Sequence, residues 1–187
     1  MTKEDRILDA AAAVLSKNPS ASVDEIAAEA GVGRATVFRL FEGRPGLLRA
    51  LAWRAIEQGD RAAADAMTEA RGATDALRRV VQACVALGDT FHFLATTPVV
   101  ERDPELHQAY QRQMHEMASL VDEAKQEGGL RNDMPTSWIV ASIDGQIWSA
   151  ALAVGRGEVG REQAEALVWD TIARGMGAAS DGIGTDG

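Results

Sequence analysis

The chain has 187 residues, and its 46% hydrophobic and 25% charged content describes a globular protein with a sizeable core in one or two domains, not a disordered one. A single cysteine excludes an internal disulfide framework or a four-cysteine zinc site. No apolar stretch approaches the ~20 residues of a membrane span, and Met1–Asn18 lacks the apolar centre of a secretory leader, so a cytoplasmic protein without a membrane partner is expected.

Apolar residues recur at steps of three and four, and strict alternation is absent, so the predicted fold is all-α with about nine helices. Ile7, Ala11, Val14 and Leu15 predict a first helix over 3–17, stopped by Asn18-Pro19. Ser22-Val-Asp-Glu25 reads as a capping box opening a short helix to about Ala30. Gly31-Val-Gly33 breaks it, a second short helix follows over 34–40, and a long one runs from Pro45 to about Ala66. Gly, Pro and Asp clusters then delimit helices near 74–95, 104–127, 135–154 and 161–176. The glycine-rich end, 179–187, reads as a disordered tail.

The net charge of −9 argues, as a total, against a nucleic-acid partner, but it is a sum of unlike parts. Residues 1–54 hold eight basic and seven acidic side chains (+1), which leaves eleven basic against twenty-one acidic (−10) for the other 133. Within Gly31–Arg54, five arginines face the single acid Glu42. On charge alone, such an island is either a solvated face or a phosphate-binding one.

Helical spacing favours the second. Val23 to Leu40 holds two short helices joined by a tight turn, with Ile26, Ala30, Val32, Val37 and Leu40 as internal contacts and Gly31 at the turn. This is the pattern of a helix-turn-helix, whose second helix enters the DNA major groove. Val37 and Leu40 should point inward, with Ala35 and Arg39 opposite them and Arg34, Thr36 and Phe38 flanking. Arg39 is suited to guanine edges and Ala35 to a thymine methyl. Thr36 and Arg44 are expected at phosphates, with Lys3 and Arg6 adding contacts from the first helix.

The run from Ser22 to Leu48, with Phe38, Phe41, Arg44 and Leu47 in aromatic-x-x-Phe-x-x-basic-x-x-Leu spacing, closely resembles the DNA-binding domain of tetracycline-repressor (TetR/AcrR) transcription regulators. The family's usual tyrosine is Phe38 here, without a hydroxyl for phosphate, and its usual lysine is Arg44. The resemblance implies a head at 1–48, a helical effector-binding and dimerisation body at 49–178, and a homodimer that reads a palindromic DNA operator with recognition helices roughly 34–36 Å apart or further. It also implies a repressor released by a small apolar or amphipathic effector, acting through the long helix from Pro45.

The 135–154 segment agrees with a dimer on its own terms. Ile139, Ile143, Ile147, Ala151 and Val154 make one apolar face, and Trp138, Ala141, Gly145, Trp148 and Leu152 make another. The expected interface is Ile139, Ile143, Ile147 and Ala151 with Leu167, Val168 and Ile172 of the last helix. Pocket candidates are Phe91, His92, Tyr110, Met114, Met117, Asp144 and Trp148, alternatively simple core; Asp144 is a ligand anchor, a cross-dimer partner or a surface group. The spacing of His92, His107 and His115 fits no metal site, Cys84 reads as a small buried hydrophobe, and Gly31-x-Gly33 follows a helix rather than a nucleotide-binding strand. No cofactor, no metal and no catalytic group is expected. Remaining rivals are a constitutive dimeric DNA-binding protein without an effector and a helical-bundle enzyme.

Overall fold

The computed structural model describes residues 1–88 and 98–178. Its described residues form nine helices and no strand: α1 (Lys3–Lys17), α2 (Val23–Glu29), α3 (Arg34–Phe41), α4 (Arg44–Thr68), α5 (Ala73–Ala86), α6 (Val99–Arg102), α7 (Pro104–Gln126), α8 (Thr136–Gly155) and α9 (Arg161–Met176). The starts of α1 and α2 are set by paired caps. Thr2 Oγ1 accepts from the Asp5 amide at 3.0 Å while the Asp5 carboxylate accepts from the Thr2 amide at 2.7 Å, and Ser22 and Glu25 repeat the arrangement.

Two differences from the periodicity are local. The helix expected over 74–95 closes at Ala86, with the Leu87 amide turning back to the Cys84 carbonyl; Phe91, His92 and Phe93 lie outside the described residues. A one-turn helix, α6, stands between Pro98 and Asp103, too short for hydrophobic periodicity to register.

Two apolar clusters organise the chain. The first joins α1, α2 and α3 to the first half of α4 through Ile7, Leu15, Ile26, Val37, Leu47 and Leu51, and takes in Val100, Leu106 and Ala109 from α6 and α7. Each such aliphatic side chain, fully withdrawn from water, stabilises by about 1.5–3 kcal/mol. The second packs α5, α7, α8 and α9 through Leu77, Val81, Val121, Ile139, Ile143, Val168 and Ile172, with Ala63 and Ala66 of α4 against it. The long α4 therefore belongs to both. Its entry is tightly fixed: a Cβ added at Gly46 would lie 1.8 Å from the Phe41 carbonyl oxygen, so no larger residue fits there.

The helix α8 corrects the expectation that no segment reaches membrane-span length: its 20 residues are apolar and long enough by composition. Asp144 and several small polar residues interrupt Thr136–Gly155, so it holds no unbroken apolar run. Only 22% of its most apolar window is buried within the protomer.

Candidate nucleic-acid interface

The α2–turn–α3 unit is built from the inside out. Ile26 and Ala27 of α2 meet Val37 and Phe41 of α3, all buried. Gly31 adopts a φ of +64°, a left-handed conformation cheap only for glycine, and lets the Val32 amide bond back to the Ala27 carbonyl at 2.9 Å. Leu40, expected inside, is only half-buried, because Phe41 takes the inner position one residue on. The helix ends at Glu42 and Gly43, both with positive φ (56° and 96°), which swings the chain into α4.

With Val37 and Phe41 inward, Arg34, Ala35, Phe38 and Arg39 are exposed and Thr36 is half-buried. This matches the expected outer face. The arginines, however, are used unequally. Arg39 has no ion pair or hydrogen bond among the described residues. Arg34 donates to the Asp24 carboxylate at 2.7 Å and lies 5.1 Å from the Phe38 ring centroid.

Arg44 is engaged within the head. Its guanidinium donates to the Ala21 carbonyl and, at 2.8 Å, to the Pro19 carbonyl, tethering the α1–α2 connection to the start of α4. Those carbonyls lie in the connection after α1, and holding them takes two of the five guanidinium N–H donors that seemed suited to phosphate. Arg6 is likewise committed, donating to the Ala30 carbonyl at 3.0 Å. Arg54 pairs with Asp9 at 2.8 Å, and Arg49 reaches Asp103 at 2.5 Å as well as Glu105. Arg49 holds the Asp103 carboxyl below the usual carboxylate range, helped by the Leu106 amide that Asp103 caps at the start of α7. Lys3 is exposed.

In the body, a cavity of about 340 Å³ is lined by Gly59, Asp60, Ala63 and Met67 of α4, Val80 and Cys84 of α5, and Gln113, Met114, Glu116, Met117, Ser119, Leu120 and Glu123 of α7. Met114 and Met117 were expected there; the α4 residues were not. The signal that could have found them is Gly59, a poor helix former that sits buried inside a long helix. Burial pushes the Cys84 thiol up to about 12, which fits an inert buried group. Tyr110 packs on the first cluster, and burial raises its phenol to about 12. Asp144 is half-buried, its carboxyl raised by burial against a hydrogen bond from Trp148, and its charge is felt at both Cys84 and Tyr110.

The expected dimer residues are mostly turned the other way. Ile139, Ile143, Ile147, Ala151, Val168 and Ile172 are buried inside the protomer, in or beside the second cluster. The face left open is the alternate one: Trp138 (62% exposed), Leu152 (37%) and Leu167 (48%), with Ala141 and Gly145 between. Periodicity detected both faces of α8 and gave no means of telling inner from outer.

A helix-turn-helix with an unencumbered arginine on its second helix, ahead of a separate helical body, defines a DNA-binding transcription regulator. Comparison with known proteins gives the family. Residues 7–51 match the family described as bacterial regulatory proteins, tetR family. The HTH-type transcriptional repressor LfrR of Mycolicibacterium smegmatis is 38% identical over 133 residues, covering 71% of this chain and 68% of that protein. A crystal structure of LfrR from Mycobacterium smegmatis in complex with proflavine superposes with a TM-score of 0.77 at 28% identity, over 92% of this chain and 95% of the other. The ketosteroid regulator KstR2 of Mycobacterium tuberculosis has the same fold at 13% identity, with a TM-score of 0.77 over 94% of this chain and 95% of its own. The chain belongs to the tetR family: it is a DNA-binding transcription regulator and not an enzyme.

Proposed function

We propose that the protein is a cytoplasmic homodimeric repressor, released from a palindromic operator by a small amphipathic effector. Residues 1–48 form the reading head and 49–178 the effector-binding and dimerisation body. The observation that carries the reading is the outer face of α3, where Arg39 stands exposed, without a partner among the described residues, opposite the buried Val37–Phe41 anchor. Arg39 reads guanine edges there, with Ala35 beside it, and Arg34, Thr36, Phe38 and Lys3 contact the flanking backbone. Arg44 and Arg6 hold the head together and act on DNA only indirectly.

The dimer face is Trp138, Ala141, Gly145 and Leu152 of α8 with Leu167 of α9. An apolar helix left mostly open in one protomer needs a cover, and a two-fold copy supplies the same face in return.

The cavity favours an effector over the constitutive alternative, since about 340 Å³ falls within the range of roughly 300–1,000 Å³ of ligand sites. Among the described residues its wall contains Asp60, Glu116 and Glu123 and no lysine or arginine; Arg112 outside it pairs with Asp60 and Glu116 and leaves Glu123 to favour an amphipathic cation. Proflavine, the flat aromatic cation in the LfrR complex, is the natural first probe. The cavity touches α4 at Gly59–Met67, just beyond the stretch packed into the head, so an occupant that displaces this half of α4 moves the lever between body and head. The effector must bind the DNA-incompetent state more tightly, because equal affinity shifts nothing.

Selecting duplexes from a random pool with the purified protein, then titrating proflavine into the complex, tests the reading. A palindromic consensus released by the probe is expected. An unselective pool contradicts the DNA assignment, and a consensus insensitive to proflavine and to other amphipathic cations contradicts the effector one.

A further inference from the structure

Where the α1–α2 connection and the first turns of α4 meet α6, a second cavity of about 580 Å³ opens. Its walls are largely apolar, with Pro19, Pro45, Leu48 and Val99 among them. Among the described residues, the charges on that wall are three arginines, Arg44, Arg49 and Arg102, and a single acid, Asp103. Asp103 is already satisfied, since Arg49 donates to one oxygen at 2.5 Å and the Glu105 and Leu106 amides donate to the other. Arg44 gives two of its five N–H donors to the Ala21 and Pro19 carbonyls and keeps three. The Arg102 side chain is exposed, with no hydrogen bond or ion pair among the described residues. The wall thus holds two uncompensated cations beside apolar surface. The cavity between α4, α5 and α7 has the opposite charge.

We propose that this junction cavity is a second ligand site, which takes a small amphipathic anion such as an aromatic carboxylate or sulfonate. Arg102 and the spare donors of Arg44 hold the anionic group by charge-assisted hydrogen bonds, and Pro19, Leu48 and Val99 cover the apolar part. The volume lies within the roughly 300–1,000 Å³ of small-molecule sites. A DNA phosphate is a poor occupant, because its hydrated backbone has nothing to fill the apolar wall. An anion bound there ties the start of α4 to α6 and opposes the displacement of α4 that releases the operator. By reciprocity, operator and anion favour each other, and the cation in the other cavity opposes both. The binding claim stands on the wall alone, whereas its regulatory consequence rests on the operator-release reading.

The test titrates 2-naphthalenesulfonate into the whole protein by calorimetry, with uncharged 2-naphthol as the control. One sulfonate per protomer is expected, bound more tightly than 2-naphthol. Arg102→Ala should weaken it about ten-fold or more, and Arg102→Lys should restore much of the loss. Unchanged binding by Arg102→Ala, equal affinity for 2-naphthol, or no saturable binding overturns the site. Without the anion, Arg102→Ala should keep the wild-type operator affinity and salt slope. A slope shallower by about 0.9 per head makes Arg102 a phosphate contact and also overturns the site. On the operator complex, the sulfonate at about ten times its Kd should raise the proflavine needed for release by up to about ten-fold, an effect absent from Arg102→Ala. No shift, or release by the sulfonate itself, contradicts the regulatory consequence. Arg102-dependent binding to a protein that selects no operator, or whose complex no cation releases, supports the site and sinks only that reading.

Discussion

On α3, Arg39 projects from the exposed side of the helix without a partner among the described residues, whereas along α4 Arg44, Arg49 and Arg54 are each taken up by carbonyls or carboxylates of other elements. The two regions adjoin and carry the same residue type at the same five-residue spacing. At about 100° per residue, each such step turns the helix by about 140°, so the series winds around its axes and cannot form one basic face. What separates the two roles is what lies opposite. Beyond α4 stand the orphan carbonyls after α1, the Asp5–Asp9 turn and the Asp103 cap of α7; Arg39 is exposed and has no partner among the described residues. The basic island is thus one arginine without a partner among the described residues, one in a surface ion pair with Asp24, and three that tether other elements.

The contrast yields predictions of graded size. Gly46→Ala should be the most damaging, since its Cβ would meet the Phe41 carbonyl at 1.8 Å where α3 turns into α4; a loss of about 3 kcal/mol or more in denaturant unfolding is expected. Trp138→Glu, remote from both arginine regions, should leave the head folded but weaken the dimer by about 2 kcal/mol or more, read by sedimentation. If the dimer holds, the open face of α8 is not the interface. Replacing Arg49 with alanine removes the bond from α4 to the α7 cap, and should lower Tm by a few degrees while sparing operator preference in the unliganded protein.

The smallest effect concerns pH and belongs to the body. Hydrogen bonds from Arg78 and Arg79 lower the Asp75 carboxyl from 3.8 to about 2. A carboxyl depressed on folding stabilises above its unfolded value and loses that contribution as pH falls through the folded one. Asp75→Asn should therefore lower the Tm near pH 7, flatten the stability–pH curve between about pH 4 and pH 2, and converge with wild type below that range, measured by thermal melts.

Much of this was legible in the residues. The bounds of α1, the capping box of α2 and the turn at Gly31 follow from local chemistry, and local chemistry survives folding. The outer position of Arg39 follows from the same geometry that buries Val37. Other features depend on what faces what across the fold. The tethering of Arg44 needs the carbonyls of Pro19 and Ala21, 25 and 23 residues away, and nothing in the spacing marks them. The inner and outer faces of α8 are both apolar, so only packing against α5 and α9 decides that Ile139 and Ile143 go in and Trp138 stays out. The cavity beside Gly59 needs Met114 and Met117 from α7 to close it, a pairing across the fold that spacing along α4 does not mark.

The division between reader and tether is tested most directly by comparing Arg39→Ala with Arg44→Ala in one experiment, with operator binding followed across salt concentrations and unfolding followed alongside. The account predicts that Arg39→Ala keeps the wild-type Tm and loses about 1–3 kcal/mol of operator discrimination. Arg44→Ala should instead lose about 1–3 kcal/mol of stability, from two carbonyls left without their donor, and keep the wild-type salt slope per folded molecule. An Arg44→Ala protein as stable as wild type, with binding weakened uniformly across sequences and a slope shallower by about 0.9, would contradict the account and return Arg44 to the phosphate backbone.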